Sequence, residues 1–331
     1  MKISAIVPVW NGEELLRRLL DSVRAQTLQP AEVLVVDNGS TDGAPEVARR
    51  AGAHVIPMGR NAGFAAAVNR GIREARGEAV AVLNSDVELS PDYLSLLAAK
   101  LSETGAWFAT GKILAAGSDT QIDGTFDVVC RGGTACRIGS GQTDNAWFSR
   151  PRTIWSAPWT AALFRAALFA RTGLLAESFE SYLEDVDFGL RCARQNLSGN
   201  YVPEARAWHR GSATLGRWHR ETVRRIARNQ IFLLARHYPK DLLRRRAWAI
   251  LVDQLLWGCM AVRHGGGWAW LRGKWQGLSG FREARTAELF DAAQLDRLLY
   301  ENEQIIRESQ ATAGRWDSYW RLHFLLCGEA K

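Results

Sequence analysis

Short β-branched runs alternate with helical patterns along the first hundred residues, and this alternation constrains the fold more than any other feature of the chain. Each run is continuously apolar, as expected for strands buried on both faces of a parallel sheet. The predicted strands are Ile3–Val9, Val33–Val36, His54–Pro57 and Ala79–Leu83. The predicted helices are Glu13–Gln26, Asp42–Ala51, Phe64–Arg76 and Pro91–Leu101. The pattern indicates an α/β fold with a doubly wound, mainly parallel sheet flanked by helices.

The rest of the chain differs in composition from this first part. Residues 105–165 are rich in Gly, Thr, Ser and Trp and are predicted to form short strands and loops, a smaller mixed half of the same domain. From Arg217 onward the pattern is predominantly helical. We therefore expect one domain over residues 1–215 and a helical C-terminal region over residues 216–331. A glycine-rich break at His264–Gly267 and a turn near Gly277–Gly280 should divide the C-terminal helices.

Charge and aromatic content narrow the range of partners. The net charge is +7, and residues 217–246 hold ten Lys or Arg against two acids. Such a run is either a solvated helix face or a surface for anionic lipid or for the diphosphate of a substrate. Eight of the 14 tryptophans lie from Trp218 onward, several of them near arginines. This pairing favours peripheral contact with a membrane over nucleic acid.

Three further features bear on the compartment. The cysteines show no C-x-x-C pair and no spacing suited to zinc, so neither a disulfide scaffold nor a structural metal site is expected. Ala247–Val262 is the most apolar helical stretch, but it is too short to span a bilayer and contains Asp253 and Gln254. The N-terminal run has no small-residue cleavage site. We expect a cytoplasmic protein that contacts the inner face of the cell membrane.

Polar residues follow the predicted strands at their carboxyl ends, where open α/β sheets bind ligands. Asp37 could accept a hydrogen bond from a base or a ribose hydroxyl, although Asp-Asn-Gly-Ser is also ordinary turn chemistry. Asp86, in Asn84-Ser85-Asp86, could hold a divalent cation, Mg²⁺ or Mn²⁺, that neutralises a departing diphosphate. The alternative role for Asp86 is a cap or turn before Ser90-Pro91-Asp92, which predicts a capped helix start with a first-turn proline.

Two later segments carry further candidates. Glu184-Asp185-Val186-Asp187 places three acids in four residues at a predicted helix start. These acids either complement the helix dipole, or one of them accepts the proton of an attacking hydroxyl. His209 follows a predicted strand that begins near Tyr201, and it is either a packed or surface residue or a ligand for a metal or diphosphate.

Taken together, these segments resemble glycosyltransferase family 2. The resemblance covers roughly residues 1–235 and is carried, in chain order, by Ala5–Asn11, Val35–Asp42, Asn61–Phe64, Asn69, Gly71, Asn84–Asp86 and Glu184–Phe188. Residues 61–71, with His209 and Arg228-Asn229, are similar to the rhamnosyltransferase-like branch, which builds bacterial cell-surface polysaccharides. Two departures are visible: Asn84 replaces the first acid of the common Asp-x-Asp, and Thr160-Ala161 stands where the branch often has Gly-Ala.

The resemblance implies a GT-A domain over residues 1–215, with a nucleotide-binding half at 1–104 and an acceptor-binding half at 105–215. It makes Asp185 the catalytic base, and Asp86 the metal ligand, helped by His209. The implied nucleotide-sugar contacts are Pro8, Val9, Asn11, Asp37, Asn38, Asn61, Gly63, Phe64, Asn69, Asn84, Ser85 and Asp86. The implied acceptor contacts are Trp159, Thr160 and Glu184.

The predicted function is therefore inverting, metal-dependent transfer of a sugar from a nucleotide-diphosphate donor to an acceptor hydroxyl. The best donor is dTDP-rhamnose, although UDP- and GDP-sugars use the same framework, and the expected acceptor is a lipid-linked or growing polysaccharide. A dinucleotide-dependent oxidoreductase is disfavoured, because Pro8–Gly12 stands where Gly-x-Gly-x-x-Gly would be needed. A non-catalytic nucleotide-sugar or glycan-binding protein is the alternative, because Asn84 weakens the metal motif.

Overall fold

The computed structural model describes residues 1–211, 216, 218–314 and 316–328. They divide into an N-terminal unit, residues 1–126 and 139–214, and a helical unit, residues 127–138 and 215–331. The sequence does not predict that residues 127–138 group with the helices. Residue 215, at the expected boundary, and Arg217, at the start of the basic stretch, lie outside the described residues, as does Ser212.

The elements of the two units follow one another along the chain. The strands are β1 (Ile3–Val9), β2 (Glu32–Asp37), β3 (His54–Pro57), β4 (Ala79–Leu83), β5 (Val87–Leu89), β6 (Phe108–Ala115), β7 (Ile122–Gly124), β8 (Asp127–Val129), β9 (Ala135–Arg137), β10 (Arg152–Ile154), β11 (Ala161–Arg165) and β12 (Gly199–His209). The helices of the N-terminal unit are α1 (Glu13–Arg24), α2 (Ala44–Arg50), α3 (Phe64–Glu74), α4 (Tyr93–Thr104), α5 (Ala166–Thr172) and α6 (Glu184–Arg194). Those of the helical unit are α7 (Arg220–His237), α8 (Lys240–Arg245), α9 (Ala247–Arg263), α10 (Gly267–Ser279), α11 (Phe281–Ala284), α12 (Ala292–Thr312) and α13 (Ser318–Cys327).

One mixed sheet forms the centre of the N-terminal unit, in the order β10-β12-β6-β11-β4-β1-β2-β3. The four predicted strands are confirmed and run parallel as β3-β2-β1-β4, while β11 joins β4 to β6 antiparallel to both. Chain order reverses beside β1, the position at which such sheets bind ligands. Asp37 lies opposite Val9 in β1, and Val82 lies opposite Ile6 on the other side. The ends of β2 and β4 therefore flank the end of β1, two strand spacings or about 10 Å apart.

The helices of this unit bury amphipathic faces, and two of them, α2 and α4, begin two residues later than predicted. In α1, for example, Leu16, Leu19 and Val23 recur at helical spacing and are buried. The predicted cap at Ser90 is wrong, because α4 begins at Tyr93 and the Ser90 hydroxyl donates a hydrogen bond to Asp92. The Tyr93 N–H donates to the Ser90 carbonyl at 3.0 Å, so these residues form a turn that precedes the helix.

Close helix packing organises the helical unit. A Cβ at Gly273 in α10 would lie 2.3 Å from the Arg224 carbonyl oxygen of α7, and one at Gly277 would lie 2.7 Å from the Ile231 Cβ. The turn expected near Gly277–Gly280 lies at its last residue, since α10 continues to Ser279 and α11 begins at Phe281. The glycines within α10 permit the helix crossing. The predicted break at His264–Gly267 is confirmed, because α9 ends at Arg263 and α10 begins at Gly267. Among the described residues, no helix is long and apolar enough to cross a bilayer.

The basic stretch 217–246 does not form one exposed face. Most of α7 is buried, including Arg228, and Arg224 pairs with Glu221 at 2.8 Å. Farther along, Arg246 pairs with Asp296 at 2.9 Å. Arg220, Lys240, Arg244 and Arg245 are exposed, so the stretch is partly solvated and partly packed, and its contact with anionic lipid stays a prediction.

A buried polar cluster lies at the centre of the helical unit. The His323 Nδ1 lies 2.5 Å from an Asp253 oxygen, and its Nε2 lies 3.2 Å from Glu303. Cys130 donates its thiol hydrogen to Asp253 at 2.8 Å, and Arg131 binds Glu303 at 2.9 Å. Cys130, Asp253 and His323 thus bring metal-type donor atoms within 4.8 Å of one another. Because each donor already has a partner, we interpret the cluster as a charge-balanced hydrogen-bond network.

This cluster should make the stability of the protein depend on pH. Burial lowers the pKa of His323, but hydrogen bonds with Asp253, Cys327 and Glu303 outweigh it and raise the pKa to about 11. A raised folded-state pKa stabilises the protein fully below the ordinary value near 6.5, and that stabilisation is lost as the pH rises toward 11. At pH 6, His323→Gln should cost about 3–5 kcal/mol of unfolding free energy, as for other broken buried pairs.

Urea unfolding of both proteins from pH 6 to pH 10 measures this effect. The difference in unfolding free energy between wild type and His323→Gln should shrink as the pH rises, because unfolded wild-type chains lose the imidazole proton near pH 6.5 while the folded protein keeps it. A difference that stays constant across this range would contradict the assignment.

Candidate active site

The loops at the ends of β1 and β2 are locked together by side chains. Asn11 adopts a left-handed conformation, φ +60°, and its side-chain oxygen accepts a hydrogen bond from the Thr41 N–H at 2.8 Å. The Asn11 N–H donates to the Ser40 hydroxyl at 2.9 Å, and one oxygen of Asp37 accepts from the Ser40 N–H at 2.8 Å. One carboxylate oxygen of Asp37 therefore stabilises the turn at Ser40. Its other oxygen makes no hydrogen bond within the part of the chain that the structure describes.

Two predicted donor contacts on β1 lie inside the protein. The side chains of Pro8 and Val9 are both buried. The carbonyl of Val9 accepts a hydrogen bond from the Asn38 N–H at 2.8 Å. The contacts of Pro8 and Val9 with the nucleoside stay predictions. Their side chains are covered because β1 is central in the sheet.

Asn38 fastens the segment that begins α3. Its amide nitrogen donates to the Asn61 side chain at 3.2 Å and to the Gly63 carbonyl at 3.3 Å, and its amide oxygen accepts from the Ala62 N–H at 2.8 Å. Gly63 has φ +92°, and a Cβ there would lie 2.8 Å from the Glu180 carbonyl oxygen. Only glycine allows this approach. The segment thereby connects the end of β2 with the loop that precedes the acidic helix α6.

Helix α3 is held against the same loop at two further points. The Phe64 N–H donates to the Ser181 hydroxyl at 3.3 Å. The amide of Asn69 binds the carbonyl and the N–H of Leu175, each at 2.9 Å, and the Glu177 carboxylate at 2.9 Å. Asn69 is 1% exposed. Its contact with the donor stays a prediction, and its observed hydrogen bonds hold the loop before α6.

The loop before α6 carries unusual backbone strain. Glu180, Tyr182 and Leu183 all have positive φ, at +60°, +72° and +68°. Non-glycine residues in this region cost roughly 1–3 kcal/mol each and persist only where the surroundings hold them. The contacts from α3 supply that constraint. The strained loop ends where α6 begins, at Glu184 and Asp185.

The three acids of α6 have different surroundings. Asp187 is fully buried and pairs with Arg191 at 3.1 Å, as the sequence predicts for two residues one turn apart. Arg191 also donates to the carbonyls of Thr172 and Leu174, so this pair belongs to the packing of the unit. Glu184 is buried too, whereas Asp185 is half-buried. Asp185 is therefore the acid of this motif most accessible to a ligand.

A chain of three side chains stands at the end of β4. The Asp86 carboxylate lies 3.2 Å from His209 Nε2, and the Asp123 carboxylate lies 2.9 Å from His209 Nδ1. Pairing of β5 with β12 places Val87 opposite His209 and thus brings Asp86 to the histidine. Burial lowers the pKa of His209, but hydrogen bonds with Asp123 and Asp86 raise it to about 9.

These residues fit a divalent cation. Asp86 supplies a carboxylate and His209 supplies Nε2, while Asp123 holds the other ring nitrogen, an arrangement that fixes the orientation of metal-binding histidines. The side-chain oxygen of Asn84 is buried and makes no hydrogen bond within the described residues. Hard cations accept amide oxygens as ligands. Asn84 can therefore supply an oxygen ligand where the Asp-x-Asp pattern has its first acid.

Sequence reasoning missed Asp123, which is a single acid in a short edge strand with no motif around it. It is 86 residues from His209 in the chain, and only the pairing of β7 with β6, next to β12, makes them neighbours. Ser85 lies half-buried between Asn84 and Asp86.

The predicted acceptor contacts at Trp159 and Thr160 are part of the core. Trp159 is 2% exposed, and its ring lies 4.5 Å from Phe164 and 5.0 Å from Phe188, measured between centroids. Thr160 is also buried, and its carbonyl accepts a hydrogen bond from the Asn84 N–H at 2.8 Å. The acceptor roles of Trp159 and Thr160 stay predictions, and the Thr160 carbonyl helps to position Asn84.

Replacing Asp123 with asparagine should weaken Mn²⁺ binding by about 10–100-fold, because outer carboxylates orient the ligand histidine and make it more basic. Titration of Mn²⁺ by calorimetry in the presence of nucleoside diphosphate measures the effect. Asp119→Asn is the matched control, since this nearby acid contacts Trp208 instead. Equal Mn²⁺ affinity in the two variants would show that Asp123 does not act through His209.

Comparison with known proteins agrees with this geometry. Residues 4–173 match the model of glycosyl transferase family 2. The N-acetylglucosaminyl-diphospho-decaprenol L-rhamnosyltransferase of Mycobacterium tuberculosis is 31% identical over 226 residues, which cover 61% of this chain and 74% of the relative.

Two solved glycosyltransferase structures show the same architecture. GalNAc-T7 with UDP, GalNAc and Mn²⁺ superposes with a TM-score of 0.61 at 13% identity, over 86% of this chain and 56% of that one. The mannosyltransferase PcManGT of Pyrobaculum calidifontis, with GDP-Man and Mn²⁺, gives 0.52 at 18% identity, over 98% and 86%. These neighbours confirm the predicted GT-A fold. By its family match and its mycobacterial relative, the chain belongs to glycosyl transferase family 2.

Proposed function

We propose that this glycosyltransferase uses a divalent cation to transfer L-rhamnose, with inversion, from dTDP-rhamnose to the hydroxyl of a lipid-linked or polysaccharide acceptor. The observation that carries the proposal is the grouping of Asp86, His209 and the unbonded oxygen of Asn84 at the end of β4. A carboxylate beside an imidazole nitrogen, two residues along the chain from an unbonded amide oxygen, suits a cation that also binds phosphate oxygens.

The donor would lie across the end of β1. Asp37, with one oxygen held in its turn, has a second oxygen for the base or the ribose, about 10 Å across β1 from the end of β4. That separation suits a nucleotide whose base is at Asp37 and whose diphosphate is at Asp86. Bound there, the cation would neutralise the charge that develops on the leaving diphosphate.

Asp185 would act as the general base. As the acceptor oxygen forms its bond to the anomeric carbon, the bond from that carbon to the diphosphate oxygen breaks, and the hydroxyl proton passes to the Asp185 carboxylate. Asp185 is chosen over its neighbours because Glu184 and Asp187 are buried and Asp187 already pairs with Arg191. The strained loop from Glu180 would hold the base in position.

The sugar and the acceptor are proposed from the mycobacterial relative, whose name specifies an L-rhamnosyltransferase and an N-acetylglucosaminyl-diphospho-decaprenol substrate. A lipid-linked acceptor of this kind would be met at a membrane surface. We therefore propose that the enzyme works as a peripheral protein on the inner face of the membrane.

Thermal unfolding with dTDP, UDP and GDP, each with and without Mn²⁺, tests the nucleotide assignment. A ligand at 100 times its Kd stabilises the folded state by about 2.7 kcal/mol. We expect the largest shift with dTDP and Mn²⁺ together, and no Mn²⁺ dependence in Asp86→Ala. A larger shift in unfolding temperature with UDP or GDP would instead assign a UDP- or GDP-sugar as the donor. The absence of any shift would favour the non-catalytic glycan-binding alternative.

A further inference from the structure

Helix α9 exposes an apolar stripe and buries its polar residues. Trp248, Leu251, Leu255 and Val262 recur at spacings of three, four and seven, which places them on one side of a helix. All four are exposed, and Trp248 is 59% accessible to solvent. Asp253, on the other side, is fully buried. The polarity of this helix is therefore the reverse of that of an ordinary surface helix.

Helix α10 repeats the inversion. Its exposed stripe is Trp268, Leu271, Trp275 and Leu278, with Trp268 86% and Trp275 70% accessible. Its buried side carries Lys274, which donates to the Ala227 carbonyl at 3.0 Å and to the side chains of Gln230 and Gln254. The buried ammonium of Lys274 is thus held by three oxygen atoms on the inner side of the helix, opposite the exposed apolar stripe.

The stripes join into one surface with α13. Trp248 donates its indole N–H to the Leu326 carbonyl at 3.0 Å, and a Cβ at Gly267 would lie 2.9 Å from Val262. The contacts link α9 to α13 at one end and to α10 at the other. The apolar face consists of Trp248, Leu251, Leu255, Val262, Trp268, Leu271, Trp275, Leu278, Leu322, Leu325 and Leu326. It presents on the order of 1,000 Å² of apolar side chain, above the few hundred that soluble monomers expose.

The charges on these helices select an anionic partner. Arg263, Arg272 and Arg321 are exposed on α9, α10 and α13. The only acid in the three helices is Asp253, which is buried. A symmetric pair of chains joined through this face would bring these exposed arginines together, and such like-charge contacts oppose association. Exposed tryptophans beside arginines instead suit the headgroup region of a bilayer.

We propose that the apolar face docks on an anionic lipid bilayer, with Trp268 and Trp275 at headgroup depth and the three arginines on lipid phosphates. This inference adds a membrane-binding surface to the proposed function. It rests on that function in one respect, the proposal that the acceptor is linked to a lipid. The surface differs from the basic stretch 217–246 that the sequence favours, since the attraction arises from apolar insertion supported by charge.

Flotation with vesicles of phosphatidylcholine containing 30% phosphatidylglycerol, and with pure phosphatidylcholine, tests the proposal. The wild-type chain should float with the anionic vesicles. Trp268→Ser with Trp275→Ser should reduce partitioning by roughly 100-fold, because burying a large apolar side chain is worth about a factor of ten or more. Tyr300→Ser, an exposed aromatic of α12 outside the apolar face, is the matched control and should partition as the wild type does.

Charge-reversal variants separate the contribution of the arginines to membrane binding from that of apolar insertion. Each of Arg263→Glu, Arg272→Glu and Arg321→Glu should weaken binding to the anionic vesicles by at least roughly fivefold. Nucleotide-induced thermal shifts should be unchanged in all of these variants, so a failure of the membrane proposal is distinguishable from a failure of the transferase proposal. Wild-type protein that does not float, or that forms concentration-dependent dimers in sedimentation while remaining off the vesicles, would overturn the docking surface.

Discussion

Asp185→Asn should lower kcat by about 10²–10⁴-fold while leaving donor affinity nearly unchanged, because a positioned base contributes that much and acts mainly in the transition state. Asparagine keeps the shape of the side chain and removes its basicity. Asp185 is half-buried and opens α6, so the substitution should also leave thermal unfolding close to wild type. Steady-state kinetics with a common donor gives kcat and KM separately.

The neighbouring acids supply the controls for this prediction. Asp187→Asn should mainly destabilise the fold, because it breaks a buried pair with Arg191. Glu184→Gln tests whether the first acid of the motif orients the acceptor, in which case KM for the acceptor rises. If Asp185→Asn keeps near-normal kcat while Glu184→Gln loses it, the base is Glu184, and the assignment within the motif is wrong.

Asp86→Ala should reduce turnover by at least about 10³-fold, because metal stabilisation of a charged leaving group is worth several kcal/mol. The variant removes the carboxylate that lies beside His209 and leaves that histidine with Asp123 alone. Addition of EDTA to the wild-type enzyme should produce a comparable loss that excess Mn²⁺ reverses.

Asp119→Asn serves again as the control, since its carboxylate contacts Trp208 and not the His209 group. It should retain wild-type turnover and the same dependence on Mn²⁺. Full activity of Asp86→Ala in metal-free buffer would show that the reaction does not need the metal. The basic side chains would then be the groups that stabilise the leaving diphosphate.

The parallel part of the fold could be predicted because its strands are central in the sheet. Ile3–Val9 and Ala79–Leu83 are covered on both faces, so they read as continuous apolar runs, and their observed bounds match the predicted ones. Asp37 and Asp86 could be found for the same reason, since they are the polar residues that end such runs.

Other parts of the site could not be predicted from local patterns. Asp123 reaches His209 only through the order of strands, and Asn69 is a motif residue whose side chain is turned to the loop at Leu175. The family resemblance implies an acceptor contact at Trp159, while in the structure its ring packs against Phe164. In each case long-range packing decides the role.

The apolar face shows a related limit of sequence patterns. Helical spacing reveals that Trp248, Leu251 and Leu255 share a side of α9, and such a stripe normally faces a protein core. The sequence contains no signal for which side is buried. The structure buries Asp253 with its partner His323 and leaves the apolar stripe outside.

The anomeric configuration of the product tests metal-dependent, inverting transfer most directly. NMR would be recorded on the product formed from dTDP-rhamnose, Mn²⁺ and an N-acetylglucosaminyl-diphospho-lipid acceptor, with UDP- and GDP-sugars as parallel donors. We predict a glycoside whose anomeric configuration is opposite to that of the donor, formed by the wild type and not by Asp86→Ala. A product of retained configuration, or a folded enzyme that forms no glycoside from any of these donors, would contradict it.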